Sequence, residues 1–212
     1  MKNRKEDDIF MKYVIAIMIG YLLGCSHMSY YISRFKKVNL KADGSKNYGA
    51  SNTTLLLGVK AGILVLLHDL LKSYLAVVVA NLLFPDIPYV GVIAGMASVV
   101  GHIYPFYLNF DGGKGFASFM GALLGVEPVF MLCLMLAALI FAFILDYVVA
   151  GTFSIITIAP IHIAAMQHDI NMLIIIGMIS VLIFVKHKEN VKNLVSRNGR
   201  EAKIKEVLFK KK

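Results

Sequence analysis

Apolar residues dominate the chain in seven runs that are separated by short polar stretches. An α-helix needs about 20 predominantly apolar residues to cross a bilayer, and about 17 is the usual minimum. The fourth run is shorter than this minimum, so we expect it to be a tilted or re-entrant helix that lines the bundle interior. The pattern predicts an all-α integral membrane protein that folds as a seven-helix bundle. The runs are residues 13–31, 61–84, 89–108, 116–126, 129–145, 147–166 and 172–185.

The composition supports a membrane protein with one domain. The chain has 212 residues, of which 58% are hydrophobic and 17% charged, and its mean hydropathy is +0.71. A soluble domain is nearer to about 45–50% apolar and about 25% charged, so a disordered chain, a disulfide-stapled mini-protein and an ordinary soluble enzyme are excluded. We expect a single polytopic domain over residues 1–212, with a charged head at 1–12, a basic tail at 186–212 and a first helix that is not cleaved as a signal peptide.

The formal net charge of +9 is concentrated in two basic blocks. Five bases fall within residues 34–46 and ten within residues 186–212, whereas Lys114 is the only Lys or Arg in residues 73–185. A nucleic-acid-binding domain would spread its bases over a polar surface, so we expect no nucleic-acid partner. Because Lys and Arg resist translocation, residues 34–54 and the C-terminal tail should be cytoplasmic and the N-terminus outside. The turns on the other side contain acidic residues and no bases; the acidic residues are Asp86, Glu127 and Asp169.

The first polar island spans residues 44–52, just ahead of the second apolar run. Its glycines, serines and asparagines supply exposed backbone N–H groups and short side-chain donors, which can form an anion cradle at a helix N-terminus. The alternative is a plain turn with a helix cap, because these are also the usual loop residues. The candidate binding residues are Gly44, Ser45, Asn47, Gly49 and Asn52.

The second polar island spans residues 101–115 and places the isolated Lys114 among three glycines, directly before an apolar helix. Glycine allows close backbone approach, and lysine adds a point charge for a phosphate. The spacing is not that of a P-loop, and the alternative is an anchoring lysine at a helix end. The candidate residues are His102, Gly112, Gly113, Lys114 and Gly115.

The third polar island begins at residue 186, where His187 and Asn190 are three residues apart and should share one helix face. Together they could bind a phosphate or a hydroxyl; the alternative is a solvated stop-transfer tail. Asp69 and Lys72 in the second run have the same spacing, which favours an ion pair at a functional site or a purely structural one. The chain contains no H-E-x-x-H or C-x-x-C motif, so we expect no metal site.

In their order and spacing, the three islands resemble the cytoplasmic motifs of the acyl-phosphate-dependent glycerol-3-phosphate acyltransferases, the PlsY family. The family's Gly-Ser-Gly-Asn-x-Gly-Ala-Thr-Asn motif is similar to residues 44–52, and its Gly-His-x-Phe-Pro-x-Phe-Leu-x-Phe-Lys-Gly-Gly-Lys-Gly motif to residues 101–115. The third motif, His-Arg-x-Asn-Ile followed by Gly-x-Glu, is matched by His187, Asn190, Gly199 and Glu201. The resemblance covers nearly the whole chain and implies seven helices with the N-terminus outside.

Several positions depart from the family pattern. The sequence Gly24-Cys25-Ser26-His27 stands where the family has Gly-Ser-Ile-Pro, so Ser26 is the candidate replacement for the family serine. Lys41 stands for a phosphate-binding arginine, which keeps the charge but loses the bidentate fork. Further departures include Lys46 for glycine, Asp111 for lysine and Asp146 for arginine.

The resemblance implies a bacterial inner (cytoplasmic) membrane enzyme that moves an acyl group from acyl phosphate to the 1-hydroxyl of glycerol 3-phosphate, giving lysophosphatidate for phospholipid synthesis. The chain also lacks the His-x4-Asp motif of other glycerolipid acyltransferases. Acyl phosphate is already activated, so the reaction needs orientation and charge stabilisation but no cofactor.

We expect Lys114 and its glycines to bind glycerol 3-phosphate; Lys41, Ser45 and Asn47 to hold acyl phosphate; and His187 and Asn190 to position the hydroxyl or a phosphate. Lys114, His187, Asn190 and Lys41 are the candidate catalytic residues. The expected partners are the two substrates, membrane lipid and a soluble enzyme that produces acyl phosphate.

Two other functions stay open from the residues alone. The substitutions at Cys25, Lys41 and Asp146 could mark a catalytically impaired paralogue that binds lipid or a partner protein. A small anion transporter is the third possibility, but it would need charged residues in the outer half of the spans, and the sequence places none there.

Overall fold

A computed structural model of the chain describes residues 2–195. The helices follow the apolar runs, because in a bilayer each backbone N–H and C=O must be paired within its own segment. Gly199, Glu201 and the rest of the basic tail after residue 195 lie outside the described residues. In chain order the helices are α1 (Lys2–Cys25), α2 (Met28–Lys36), α3 (Ala50–Leu57), α4 (Val59–Leu83), α5 (Val90–Ile103), α6 (Phe116–Val126), α7 (Pro128–Leu145), α8 (Val148–Gln167), α9 (Ile170–Lys186) and α10 (Lys188–Val195), with a 3-10 turn at Phe106–Leu108.

The chain is an all-α, multi-pass membrane protein over its described length. Five stretches are long and apolar enough to cross a membrane, and α6 and α9 are shorter apolar helices. The bounds of α6 agree with those predicted from the sequence, and its buried residues place it in the interior. The short helices α3 and α10 lie in polar stretches, where no apolar run marks them.

The prediction of one continuous helix over residues 13–31 is wrong. α1 begins at Lys2, so the charged head is helical, and it ends at Cys25. The backbone of His27 is extended, with φ −128° and ψ 101°, before α2 begins at Met28. The His27 ring contacts the carbonyl oxygens of Cys25 and His102. These contacts offset the helical hydrogen bonds that are lost where the two helices separate.

α5 is the central helix, and its backbone approaches that of α1 very closely. A Cβ added at Gly20 would lie 2.1 Å from the Ala94 oxygen, and one at Gly24 would lie 2.0 Å from the Ser98 oxygen. Glycines four residues apart allow such close packing between helices in a membrane, where dispersion contacts drive association. This contact fixes the carboxyl end of α5 beside the break between α1 and α2.

The apolar core lies among α4, α5, α6, α8 and α9. Its largest fully buried side chains include Ile103, Phe119, Leu123, Ile163 and Ile176. α7 is different, because most of its large apolar side chains are exposed on its outer surface. A helix with this exposed apolar surface faces the lipid.

The polar islands meet at one end of this bundle. The break between α1 and α2, the carboxyl end of α5, the start of α6 and the junction of α9 with α10 all lie there, joined by the hydrogen bonds described below. A cavity of about 360 Å³ lies at the opposite ends of α4, α5, α6 and α9, and is lined in part by Asn81, Tyr89, Val126 and Met172. We therefore describe the polar end as the candidate site.

Candidate active site

Two asparagine side chains hold the first island in shape. The buried Asn52 accepts from the Ser45 N–H at 2.8 Å and donates to the Leu40 oxygen at 2.8 Å and to the Asn47 oxygen at 2.9 Å. Asn47 accepts from the Gly49 N–H at 2.9 Å and donates to the oxygen and the Oγ of Ser45 at 2.8 and 2.9 Å. These amides are used within the loop, so their role is to fix its conformation.

Lys41 connects the first island to the glycine turn of the second. Its Nζ lies 2.7 Å from Asp111 Oδ1 and donates to the Gly112 oxygen at 3.4 Å. The ammonium is also 5.1 Å from the centre of the Tyr48 ring. The Lys41 side chain is 24% exposed and that of Asp111 is 71% exposed, so a dissolved anion can reach this pair. A carboxylate therefore lies where an incoming phosphate would pair with Lys41.

A buried ion pair supports the site from within the bundle. Lys72 Nζ lies 2.8 Å from Asp69 Oδ1, 2.8 Å from His102 Nδ1 and 2.7 Å from the Ser26 oxygen. Three acceptors match the three N–H groups of an ammonium. Because Lys72 donates to Nδ1, the proton of a neutral His102 is assigned to Nε2. The expected pairing of Asp69 with Lys72 is confirmed, and it holds the His102 ring in one orientation.

The glycine turn, residues 112–115, folds back over the end of α5. The Gly113 N–H donates to the His102 oxygen at 3.1 Å, and the Gly112 N–H donates to the Ile103 oxygen at 3.0 Å. A Cβ at Gly113 would lie 2.0 Å from His102 Nε2, so a larger residue cannot occupy this place. Gly115, with φ 88°, precedes the first residue of α6, a conformation that favours glycine. The turn is thereby built on His102.

Lys114 lies between this turn and α6, and its Nζ donates to Asn190 Oδ1. The two residues belong to the second and third islands and are 76 positions apart in the chain. The contact brings the isolated lysine to the junction of α9 and α10, as a shared anion site would require.

His187 lies at the junction itself, with φ −94° and ψ 3° between the end of α9 and the start of α10. α9 ends just before His187 and α10 begins just after it, and the His187 oxygen accepts from the Val191 N–H at 3.1 Å. The His187 Nδ1–H donates to the Ile183 oxygen at 2.9 Å, which leaves Nε2 as an acceptor. Burial lowers the pKa of His187 to about 4, and the charge of Lys114 contributes in the same direction.

The structure brings most of the predicted residues to one end of the bundle, but with different tasks. Ser26 Oγ lies 3.1 Å from His68 Nε2 and not at the glycine turn. Asn47 and Asn52 bond within their own loop.

Sequence reasoning missed His27, whose ring is stacked on that of His102 with 4.8 Å between the centroids. The signal available in the sequence was its position, where the resembling family has proline.

The described residues contain no group of three or more His, Cys, Asp or Glu side chains that could hold a metal ion. The groups that do meet at the polar end are lysine ammonium groups, the Asp69 and Asp111 carboxylates paired with two of them, amides, imidazoles and glycine backbone. Such a set suits anionic, phosphorylated ligands.

Comparisons with known proteins agree with this chemistry. The family model described as glycerol-3-phosphate acyltransferase matches residues 14–197. Glycerol-3-phosphate acyltransferase 1 of Oceanobacillus iheyensis is 35% identical over 209 residues, covering 95% of this chain and 99% of that protein.

Two solved structures are also similar. The crystal structure of PlsY, an integral membrane glycerol 3-phosphate acyltransferase, in its glycerol 3-phosphate form has a TM-score of 0.84 and 33% sequence identity, covering 93% of this chain and 98% of that one. Its lysophosphatidic acid form has a TM-score of 0.81 with the same identity and coverage. Sequence and fold agree over nearly the whole length, and the chain therefore belongs to the glycerol-3-phosphate acyltransferase family.

Proposed function

We propose that this protein transfers an acyl group from acyl phosphate to the 1-hydroxyl of glycerol 3-phosphate, which yields lysophosphatidate and inorganic phosphate. The observation that carries the proposal is the meeting of Lys114 and Asn190 beside the glycine turn. The acceptor and product are supported by the related PlsY structures in their glycerol 3-phosphate and lysophosphatidic acid forms. The donor is inferred from the resemblance of the three motifs and from the lack of a His-x4-Asp motif.

Glycerol 3-phosphate binds at the glycine turn in this proposal. Lys114 supplies a cation, and the N-terminus of α6 directly after it adds the positive end of a helix dipole. Gly112, Gly113 and Gly115 let a phosphate approach the backbone, and His102 keeps the turn in place through its oxygen.

Acyl phosphate binds at the first island. Lys41 and Ser45 contact its phosphate, with Ser26, Gly44 and Gly49 around it, while Asn47 and Asn52 maintain the loop. The incoming phosphate replaces the Asp111 carboxylate as the partner of Lys41. The acyl tail extends among the helices, where apolar surface is continuous.

The proposed reaction needs no nucleophilic side chain. The oxygen of the 1-hydroxyl attacks the acyl carbonyl carbon, the bond from that carbon to the phosphate oxygen breaks, and the phosphate departs with the hydroxyl proton. His187 Nε2 accepts a hydrogen bond from the hydroxyl and orients it. Because the pKa of His187 is about 4, the ring is a weak base at neutral pH, and the substrate phosphate is the better proton acceptor.

We also propose the topology and location of the protein. Residues 1–212 form one domain with seven membrane segments, an external N-terminus and a cytoplasmic C-terminus, in the inner (cytoplasmic) membrane of a bacterium. The distribution of Lys and Arg supports this orientation. Both phosphorylated substrates then reach the site from the cytoplasm, and a soluble enzyme that makes acyl phosphate is the expected partner.

The proposed reaction can be tested with purified protein and two alternative donors. One arm contains acyl phosphate and labelled glycerol 3-phosphate, and the other replaces the donor with acyl-CoA free of acyl phosphate. We expect lysophosphatidate and an equal amount of inorganic phosphate in the first arm only. Equal rates with acyl-CoA would overturn the donor assignment, and absence of product in both arms would overturn the function.

A further inference from the structure

His27 makes the contact by which the break between α1 and α2 reaches the end of α5. The residue is completely buried. Its Nδ1 lies 2.7 Å from the Cys25 oxygen and its Nε2 lies 2.9 Å from the His102 oxygen. The second contact joins residues 75 positions apart, so one side chain connects two of the loops at the candidate site.

The same His102 oxygen holds the glycine turn. It accepts from the Gly113 N–H at 3.1 Å, so the turn and His27 meet at a single atom. A Cβ added at Gly112 would lie 2.2 Å from that oxygen and 3.0 Å from His27 Nε2. The imidazole of His27 is therefore in direct packing contact with the turn that carries Lys114.

Stacking fixes the remaining freedom of this arrangement. The rings of His27 and His102 are 4.8 Å apart at an interplanar angle of 20°. Lys72 donates to the His102 ring from the bundle interior at 2.8 Å, so His102 cannot rotate without losing this bond. Because His27 packs against a ring that is already fixed, its own position is restricted, and so is the position of the break between α1 and α2.

We infer that His27 is a positioning residue for glycerol 3-phosphate, setting the place of the glycine turn and the Lys114 ammonium relative to the first island. The inference rests on the proposed function, since it assumes that the turn binds this substrate. The family pattern has proline at this position, so a rigid ring there shapes the break without a side-chain donor. In this chain the contact of His27 Nε2 with the His102 oxygen and the stacking of the two rings connect the break to the turn.

His27→Phe is the main test, because phenylalanine keeps an aromatic ring for stacking but has no ring nitrogen to contact the Cys25 and His102 oxygens. We expect the KM for glycerol 3-phosphate and its dissociation constant without donor to rise about 2- to 10-fold, the loss of one hydrogen bond, with a smaller change in kcat. His27→Gln keeps a donor and should recover part of the affinity. His162→Phe is the matched control, since His162 is stacked on Phe130 in another part of the bundle; it should leave the KM unchanged.

A double-mutant cycle separates positioning from general stability. On the Lys114→Ala background, His27→Phe should raise the KM little further, because both changes affect the same contact with substrate. A parent-like KM and dissociation constant in His27→Phe would overturn the inference, as would full additivity with Lys114→Ala. The inference would also be overturned if both His27→Phe and His162→Phe lowered the unfolding temperature and the affinity for glycerol 3-phosphate by similar amounts. If the parent protein binds glycerol 3-phosphate but makes no product, only the proposed function is contradicted. The role of His27 can then still be tested through the dissociation constant of glycerol 3-phosphate.

Discussion

Lys114 Nζ donates to Asn190 Oδ1, and this bond joins the start of α6 to the first turn of α10. The amide oxygen holds the ammonium beside the glycine turn. A lysine oriented in this way is suited to a phosphate.

Lys114→Ala should lower kcat/KM for glycerol 3-phosphate by about 10- to 150-fold, because a charge-assisted contact contributes about 1.5–3 kcal/mol. Lys114→Arg should recover part of the rate, since the charge stays but the larger guanidinium must fit among glycines. Steady-state rates at varied glycerol 3-phosphate measure both effects. Lys60→Ala, at an exposed lysine at the start of α4, is the control and should retain the parent rate. A parent-like rate in Lys114→Ala would remove the basis for the binding site.

Asp111→Asn should lower the KM for acyl phosphate by about 1.5- to 5-fold, the range expected for releasing an exposed ion pair. The carboxylate now lies 2.7 Å from Lys41 Nζ and competes with the donor phosphate. Asp43→Asn removes an equal charge from an exposed position on the loop that carries Lys41 and should have a smaller effect. If both variants lower the KM equally, the cause is the general surface charge, not the contact with Lys41.

The stability of the protein should fall as the pH decreases from about 6.5 towards 4. Burial lowers the pKa of His187 to about 4 in the folded protein, whereas an unfolded histidine titrates near about 6.5. Over this interval the unfolded chain binds the additional proton, so acid favours unfolding. Unfolding temperatures in detergent at several pH values measure the effect. His187→Gln should lose less stability across the interval than the parent, and equal losses would contradict the assignment.

Gly24→Ala should destabilise the fold by about 1–3 kcal/mol, the usual cost of overpacking. The added Cβ would lie 2.0 Å from the Ser98 oxygen, a backbone atom that cannot move without shifting α5. Gly177→Ala is the control, because no atom lies within 4 Å of a Cβ there and alanine favours the helix. Denaturation in detergent should show a lower free energy of unfolding for Gly24→Ala and an unchanged or higher one for Gly177→Ala. A change of the same sign in both variants would argue against close packing of α1 on α5.

Cysteine labelling in intact cells tests the proposed orientation. In a background of Cys25→Ala and Cys133→Ala, Asp86→Cys should react with an impermeant reagent, and Asp43→Cys should react only after the cells are opened. The expectation follows from the placement of the basic blocks. The reverse labelling pattern would invert the topology.

Local sequence patterns predicted those features of the fold that depend on residues close together in the chain. The bounds of α6 followed from polar residues at both ends of a short apolar run. The pair of Asp69 and Lys72 followed from helical spacing. The break at His27 did not, because its main compensating contact comes from His102, 75 residues away.

Contacts between the islands were equally hidden from local patterns. Lys41 and Asp111 meet only after the first loop and the glycine turn have been brought together by helix packing. The end of α9 followed from the end of the last apolar run at residue 185, but the new helix α10 was missed because its residues form no apolar run.

The shortness of α5 and α6 has a consequence for the depth of the site. With 14 and 11 residues, these helices rise only about 21 and 16 Å, against a hydrocarbon thickness of about 30 Å. We therefore expect their polar ends to lie below the membrane surface, near the level at which glycerol backbones of neighbouring lipids lie. A donor dissolved in the leaflet can present its carbonyl there while its tail stays among other tails. In the proposed reaction the acylated product then forms at its resting depth in the leaflet, and only phosphate has to leave through water.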